Sequence, residues 1–167
     1  MNMQAWGGLY SMTAGAAATM LGLLFVAVSI LGSASGGMHR NSRILAEQSF
    51  SNYLVVILLS ALALFPTLSS RELGVTALAL TAVRMMWAAI RMYAAALEPF
   101  IEDSRWKSLR RQLPSVVGFV LIILAAARLA TNHGDPSTEF AAGIVMLLFA
   151  ATSMAWELLL RISAPKT

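Results

Sequence analysis

"LTAVRMMWAAIRMYAAALEPF", residues 80–100, belongs to an apolar stretch long enough to cross a bilayer as a helix, yet it contains Arg84 and Arg91. A transmembrane helix needs about 20 predominantly apolar residues, so we expect both arginines to lie within a span. Positions seven apart on a helix fall within about 20° of each other. The two side chains therefore share one helix face, and the fold must shelter the charges on this face from lipid.

The face that carries the two arginines is otherwise small and polar, because Ala77, Thr81 and Ala88 lie on it. Small residues let helices approach closely, which is typical of a face directed at protein. We therefore expect the arginines to point into a helix bundle or into a contact between subunits. The opposite face carries larger apolar side chains: Leu78, Val83, Met85, Met86, Met92 and Tyr93.

The composition of the chain is that of a membrane protein. Of its 167 residues, 58% are hydrophobic and 12% are charged, whereas a soluble domain has about 25% charged residues. Most of the exterior must therefore face lipid, and we expect one transmembrane domain over residues 1–167. The basic residues lie in short loops between apolar runs, a pattern typical of membrane orientation rather than of a nucleic-acid-binding surface. We expect the lipid bilayer, and not nucleic acid, as a partner.

Five apolar runs predict five helices, since a backbone in lipid must form its hydrogen bonds within its own segment. The predicted spans are about 9–31, 50–68, 73–97, 115–130 and 139–160. The fourth run is short, and in a four-span alternative it would be re-entrant or buried. Between spans three and four, residues 98–113 combine an apolar stripe with many charges, which predicts an amphipathic helix in the cytoplasmic membrane interface. The predicted fold class is an all-α bundle of five transmembrane helices plus this interfacial helix.

The distribution of lysine and arginine predicts the orientation of the bundle. With five spans, eight basic loop and tail residues lie on one side of the membrane and Arg71 lies on the other. Positively charged loops stay in the cytoplasm. We therefore expect the amino terminus outside and the carboxyl terminus inside, which requires an odd number of spans. The eight residues are Arg40, Arg43, Arg105, Lys107, Arg110, Arg111, Arg161 and Lys166.

The predicted interfacial helix supplies candidate contacts to lipid headgroups. A cluster of basic residues next to a span attracts acidic headgroups. Its simplest role is to anchor and orient the protein, and the alternative is a docking site for anionic lipid or a partner protein. The candidate residues are Arg105, Trp106, Lys107, Arg110 and Arg111.

Arg84 is the strongest candidate functional residue. It lies about 16 Å from the start of its span at Leu73, near the midplane, and no other span has Asp, Glu or His near that depth. A charge there costs about 2.5–3.5 kcal/mol on insertion scales. In one interpretation, Arg84 contacts an anion, an anionic lipid or a water-filled path, with Thr81 and Arg91 as further pore or ligand candidates. In the other, it is a structural hydrogen-bond hub.

The remaining intramembrane charges have structural interpretations. Arg91, about 27 Å into its span, can snorkel or form an ion pair with Glu157 of span five, and Glu157 also has Arg161 at i,i+4. A structural pair, Arg91–Glu157 or Glu157–Arg161, is therefore predicted. Arg128 lies near the outer end of span four on an apolar stripe, so we expect it to snorkel to the outer headgroups.

Span one carries a face of small residues at helical spacing, formed by Gly15, Thr19, Gly22 and Ser29. Such a face favours close helix packing. The pattern does not distinguish a partner helix in the same chain from one in another chain.

The chain has no constellation typical of an enzyme. Cysteine is absent, and the two histidines, His39 and His133, fall in loops on opposite sides of the membrane. Neither a nucleophile–base pair nor a set of metal ligands can be assigned. We therefore expect no enzymatic activity, no metal site and no cofactor.

The start of span one resembles a known family. "WGGLYSMTAGAAATMLGLLFVAVSI", residues 6–30, is similar to the start of a family of small bacterial integral-membrane proteins, with its tryptophan, alanine-rich stretch and GLLFVAVS core. The family is mostly uncharacterised, and some members carry an automatic label as modulators of a membrane protease. The resemblance implies a bacterial inner-membrane location and transfers no functional residues.

Two functions follow from these observations. The first is a homo-oligomeric channel or transporter-like protein for a small anion or other solute, with Arg84 on the interior face. The alternative is a non-transporting accessory or regulatory protein that packs against a partner through span one and the basic cytoplasmic loop. We favour the first, because it gives Arg84 a role that offsets the cost of its position.

Overall fold

The computed structural model describes residues 3–34, 40–96, 103–131 and 134–163. These residues form a short 3-10 turn, Met3–Trp6, and five α-helices, with no strand among them. Each helix contains a segment long and apolar enough to cross a membrane, which confirms the prediction of five spans. The helices are α1 (Gly7–Ala34), α2 (Arg40–Leu64), α3 (Ser70–Ala96), α4 (Asp103–Ala130) and α5 (Ser137–Ser163).

The fourth helix differs from the prediction. α4 runs without a break from Asp103 to Ala130 with Pro114 inside it, so a separate interfacial helix over residues 98–113 is not shown. Residues 98–102 lie outside the described part of the chain. Proline removes one helix hydrogen bond, but membrane helices tolerate it where neighbouring groups satisfy the freed carbonyl. From Asp103 onward, the predicted amphipathic stretch thus forms the polar first turns of α4. The apolar segment of α4, Gln112–Ala130, extends about 28 Å.

The helices do not pack in chain order. α2 and α5 pack together, α1 lies against both of them, α4 packs on α5, and α3 packs mainly on α4. α2 and α3, although consecutive in the chain, touch only slightly. We call the end where α2 and α4 begin the Arg43 end, and the opposite end the Glu72 end.

Glycines fix the closest helix contacts. A Cβ atom on Gly143 of α5 would lie 2.6 Å from Cγ1 of Ile122 and 3.1 Å from the carbonyl oxygen of Gly118, both in α4. A Cβ atom on Gly74 of α3 would lie 2.6 Å from the backbone nitrogen of Ala130 in α4. Glycine permits this separation because it has no side chain. α3, α4 and α5 are thereby joined nearly backbone to backbone, and α3 is held away from α2.

Hydrogen bonds between helices fix the register of α1, α2 and α5. The hydroxyls of Thr13 in α1 and Ser60 in α2 lie 3.1 Å apart, and both are buried. About three turns earlier in α2, the Ser49 hydroxyl donates to the carbonyl oxygen of Ala151 in α5 at 2.8 Å. One turn further, the hydroxyl of Tyr53 lies 3.2 Å from that of Thr152. Side-chain bonds of this kind stabilise helix packing in membranes by about 0.6 kcal/mol on average.

The start of α3 is fixed by a capping box at the Glu72 end. The backbone nitrogen and the hydroxyl of Ser69 each donate to the Glu72 carboxylate at 2.8 Å. In return, the backbone nitrogen of Glu72 donates to the Ser69 hydroxyl at 3.3 Å. This reciprocal pairing satisfies backbone donors that the first turn of a helix leaves free. It therefore helps to set where α3, and with it Arg84, begins.

Candidate functional site

Arg84 lies halfway along α3, about 21 Å from Ser70 and about 18 Å from Ala96 along the helix axis. It lines a cleft of about 250 Å³ between α2 and α3, which we call the Arg84 cleft. The cleft exists because α3 packs on α4 and leaves α2 uncovered at this level. Its other lining residues are Ser51, Leu54 and Val55 of α2 and Leu80, Val83 and Trp87 of α3.

The guanidinium group of Arg84 also reaches α4. Its Cζ atom lies 5.9 Å from the centre of the Phe119 ring, and Phe119 is buried. A cation above an aromatic ring is stabilised by about 0.5–2 kcal/mol, more when water is excluded. The Nε atom of Arg84 is buried, while the residue as a whole keeps partial exposure. The cation is thus anchored on α4 and still borders the open volume between α2 and α3.

Thr81 and Arg91, the other two pore or ligand candidates, have different positions. Thr81 is fully buried and its hydroxyl donates to the carbonyl oxygen of Ala77 at 2.6 Å, one turn earlier in α3. It does not line the cleft. Arg91 belongs to α3, but its side chain lies outside the described residues. The charge that the structure places at the cleft is therefore that of Arg84.

A second concavity adjoins the Arg84 cleft on the other side of α2. It measures about 570 Å³ and is lined by residues of α1 and α2. We call it the Arg43 groove. Ser51 and Leu54 line both concavities, so they meet along α2. The remaining lining residues are Phe25, Val28, Ser29, Arg43, Ala46, Glu47 and Phe50.

An ion pair lies in the Arg43 groove. The Nε atom of Arg43 lies 3.2 Å from a carboxylate oxygen of Glu47, and the two side chains are 76% and 44% exposed. Leu54 follows Arg43 by 11 residues, or about 16 Å along α2. Along α2, the Arg43 groove and the Arg84 cleft thus span the distance between the exposed Arg43–Glu47 pair and the level of Arg84, with Ser51 and Leu54 between them.

A cluster of buried neutral polar groups lies on α2, and one of them contacts α4. Asn52 is 1% exposed, and its amide nitrogen donates to the hydroxyl of Ser115 in α4 at 2.9 Å. Two amide oxygens on one face of α2, Oδ1 of Asn52 and Oε1 of Gln48, are buried and accept no hydrogen bond from the described residues. Sequence reasoning missed this cluster because it searched the spans for charges. The available signal was one carboxamide, that of Asn52, inside the predicted span 50–68, with a second, that of Gln48, four residues before it.

The small face of α1 points away from the bundle. Tyr10, Thr13, Ala17 and Leu24 form the buried stripe of α1. Gly15, Thr19, Gly22 and Ser29 are exposed instead, and a Cβ atom on Gly15 or Gly22 would meet nothing within 4 Å. The predicted packing face therefore makes no close contact inside the described chain at these two glycines.

The predicted ion pairs and headgroup contacts lie partly outside the described residues. Glu157 is partly buried on α5, but the side chains of Arg91 and Arg161 are not described, so their pairing with Glu157 stays a prediction. The same holds for headgroup contacts of the basic residues 105–111. Arg128 forms an ion pair with Glu139 of α5 at the Glu72 end, and its contact with the outer headgroups stays a prediction. Among the described residues, no group of three or more His, Cys, Asp or Glu side chains is placed to hold a metal ion.

The fold and hydropathy define the class: an all-helical, multi-pass membrane protein with five candidate spans. Comparison with protein-family models, curated proteins and solved structures finds no match to this chain. The similarity of residues 6–30 to a bacterial membrane-protein family therefore stays a resemblance. Any role for Arg84 has to be argued from the residues around it.

Proposed function

We propose that the protein is a homo-oligomeric channel or transporter-like protein for a small anion, with Arg84 as its anion-binding group. The observation that carries this proposal is the meeting of the Arg43 groove and the Arg84 cleft along Ser51 and Leu54. In this proposal, an anion passes along the two concavities from one end of the bundle to a cation at mid-depth. Two opposite charges 4 Å apart attract each other by about 4 kcal/mol at an effective dielectric constant of about 20.

The proposed orientation gives this route a direction. The excess of basic residues at the Arg43 end supports a cytoplasmic location for that end, in a bacterial inner membrane, with the amino terminus outside. In this orientation the Arg43 groove opens toward the cytoplasm. Arg43 is exposed there and is paired with Glu47, so the entrance carries no net charge from this pair.

A second copy of the chain is part of the proposal because the route is open on one side. Its walls include Leu54, Val83 and Trp87, which are 49%, 55% and 61% exposed. An ion path must be separated from acyl chains by protein or water. A symmetric contact across α2 and α3 provides this cover, and a closed homo-oligomer is the commonest way to form it.

Flux measurements on Arg84 variants test the proposal. In liposomes that contain the purified protein, Arg84→Ala should lower chloride flux at least tenfold, because removal of one attractive charge of a few kcal/mol changes anion occupancy by that factor or more. Arg84→Lys should retain an intermediate flux.

Arg128→Ala is the matched control for this experiment. It removes an arginine from the neighbouring helix α4, where its ion pair with Glu139 is exposed, and should leave the flux within about twofold, because exposed ion pairs contribute little. Equal flux for the wild type and Arg84→Ala, or no flux for the wild type, contradicts the proposal.

Crosslinking tests the second copy. The chain has no cysteine, so one introduced cysteine reports on one position. Leu58→Cys, on the exposed side of α2 one turn beyond Leu54, should give a covalent dimer with a short bis-maleimide in native membranes. Phe149→Cys, at a more exposed position on α5, should stay monomeric. Crosslinking at both positions, or at neither, contradicts a specific contact across α2 and α3.

An accessory role is the second candidate, and one observation favours it. Gly15 and Gly22 of α1 are exposed with open space around them, which suits close packing of a foreign transmembrane helix. Absence of flux in the wild type, together with a fixed second protein that co-purifies and is lost in Gly22→Leu, favours this role over conduction.

A further inference from the structure

We infer that the Arg43 groove is a binding site for a zwitterionic phospholipid, one whose headgroup joins a phosphate to a primary ammonium group. The inference goes beyond the proposed function and does not rest on it. It comes from the order of the lining residues along α2: the opposite charges of Arg43 and Glu47 lie at one end, and apolar side chains follow as far as Leu54. A phospholipid has the same order, from its charged headgroup to its acyl chain.

The length of the groove matches one leaflet of a bilayer. Leu54 follows Arg43 by about 16 Å along α2, and one leaflet contributes about 15 Å, half of the hydrocarbon core. The volume of the groove, about 570 Å³, lies within the range of about 300–1,000 Å³ that is typical of ligand sites. Because Ser51 and Leu54 also line the Arg84 cleft, a bound acyl chain and a passing anion would exclude each other there.

Two helices form the apolar walls, so the groove differs from the lipid-facing surface of a single helix. Phe25 of α1 and Phe50 of α2 both line it, and their rings meet edge to face with centres 6.4 Å apart. Phe25 is 62% exposed, so this ring pair presents apolar surface to an occupant. Val28 of α1 and Leu54 of α2 also line the groove. An acyl chain that lies there is therefore contacted by both helices.

The charged pair selects the headgroup. Nε of Arg43 lies 3.2 Å from a carboxylate oxygen of Glu47, so a cation and an anion lie side by side at the end of the groove. The guanidinium group has further N–H donors on its terminal nitrogens, which suit a phosphate, and a carboxylate accepts several hydrogen bonds, which suits an ammonium group. Phosphatidylethanolamine supplies both partners. Phosphatidylglycerol lacks the cation, and the quaternary nitrogen of phosphatidylcholine has no hydrogen to donate.

Native mass spectrometry of the full chain in detergent tests the inference, because it resolves the lipids that each protein retains. Phosphatidylethanolamine, phosphatidylcholine and phosphatidylglycerol with identical acyl chains are titrated separately. The wild type should bind phosphatidylethanolamine about fivefold more tightly than either of the others, since a hydrogen bond to a charged but partly exposed group contributes about that factor. Soluble phosphoethanolamine, which has the headgroup without the acyl chains, should not displace the lipid.

Glu47→Gln tests the contact with the headgroup. It removes the negative charge and keeps an oxygen that can accept from Arg43, so the preference for phosphatidylethanolamine over phosphatidylglycerol should fall below about twofold. Glu139→Gln is the matched control, because it neutralises a carboxylate of similar exposure that is paired with Arg128 at the opposite end of the bundle. Its preference should equal that of the wild type. Arg43→Gln should weaken the binding of both lipids alike, since both carry the phosphate.

Ser29→Trp tests the contact with the acyl chain. Ser29 is an exposed residue of α1 that lines the groove, so an indole ring there fills part of the volume that the chain would occupy. The preference for phosphatidylethanolamine should be lost. Val26→Trp is the matched control, because Val26 is exposed on the same helix and does not line the groove; it should keep the preference.

Several results would overturn the inference. Equal affinity for the three lipids in the wild type describes lipid that merely surrounds the protein, and an unchanged preference in Glu47→Gln excludes the charged pair as its origin. Displacement by soluble phosphoethanolamine, or an unchanged preference in Ser29→Trp, excludes a role of the groove. None of these measurements involves ion flux, so each of these results leaves the proposed anion binding at Arg84 intact.

Discussion

Gly74→Ala is expected to destabilise the bundle by about 2–3 kcal/mol, at the upper end of what overpacking costs. The added Cβ atom would lie 2.6 Å from the backbone nitrogen of Ala130, 2.7 Å from the carbonyl oxygen of Ala126 and 2.9 Å from Cβ of Leu129. Two of these atoms belong to the backbone of α4, so no side-chain rotation relieves the contact. α3 must move away from α4, and Gly74→Leu should prevent their packing altogether.

Thermal unfolding in detergent measures this effect, with Gly22→Ala as the matched control. Both changes replace a helical glycine by alanine, but a Cβ atom on Gly22 meets nothing within 4 Å. Alanine is the better helix former, so Gly22→Ala should leave the melting temperature unchanged or slightly raised. A fall of about 5–10 °C is expected for Gly74→Ala. Equal melting temperatures for the two variants would show that α3 and α4 are not packed at this separation.

The same substitution has a functional consequence. α3 carries Arg84, and its contact with α4 places the guanidinium group over Phe119. Moving α3 away from α4 therefore displaces the proposed anion-binding group. Residual folded Gly74→Ala protein should show reduced flux even where the amount inserted in the membrane equals that of the wild type.

The spans could be predicted from the sequence because lipid imposes a simple rule of length and apolar composition. The continuity of α4 could not, since the effect of Pro114 depends on whether neighbouring groups satisfy a freed carbonyl. The start of α3 was open to prediction, because Ser69-x-x-Glu72 has the spacing of a capping box. Hydropathy hides this pattern, as both residues lie at the edge of an apolar run.

The order of helix packing is beyond the sequence pattern. Hydropathy does not show that α3 packs mainly on α4 and makes few contacts with α2. It is this arrangement that creates the Arg84 cleft. The small face of α1 shows the same limit, because small residues favour close packing without naming the partner. Within the chain, a different stripe packs instead, and its Tyr10 meets Phe140 of α5 edge to face with ring centres 6.2 Å apart.

The candidate site was predictable only in its charge. Arg84 is conspicuous because an arginine at mid-depth costs free energy. Asn52 and Gln48 are not conspicuous in the sequence, because neutral amides in a span usually form hydrogen bonds with neighbouring helices. Their unsatisfied oxygens appear only once the neighbours are known.

Arg84→Met is expected to raise the free energy of unfolding by about 1 kcal/mol while it abolishes anion flux. Methionine is unbranched and of similar length, so it can fill the space of the side chain against Phe119. The substitution removes a charge whose position costs about 2.5–3.5 kcal/mol and gives up a cation–aromatic contact of about 0.5–2 kcal/mol. Arg84 makes further interactions within the bundle, which reduce the gain, so the difference favours methionine by only about 1 kcal/mol.

This measurement separates the two interpretations of Arg84, because they predict opposite signs. A structural hub loses several hydrogen bonds when the guanidinium group is removed, so Arg84→Met would then unfold at a lower temperature than the wild type. Phe119→Leu is the matched control, since it removes the aromatic ring and keeps an apolar side chain and the arginine; it should destabilise the protein in both cases. If Arg84→Met is more stable than the wild type and has lost flux, the buried charge lowers the stability of the bundle and is needed for anion flux.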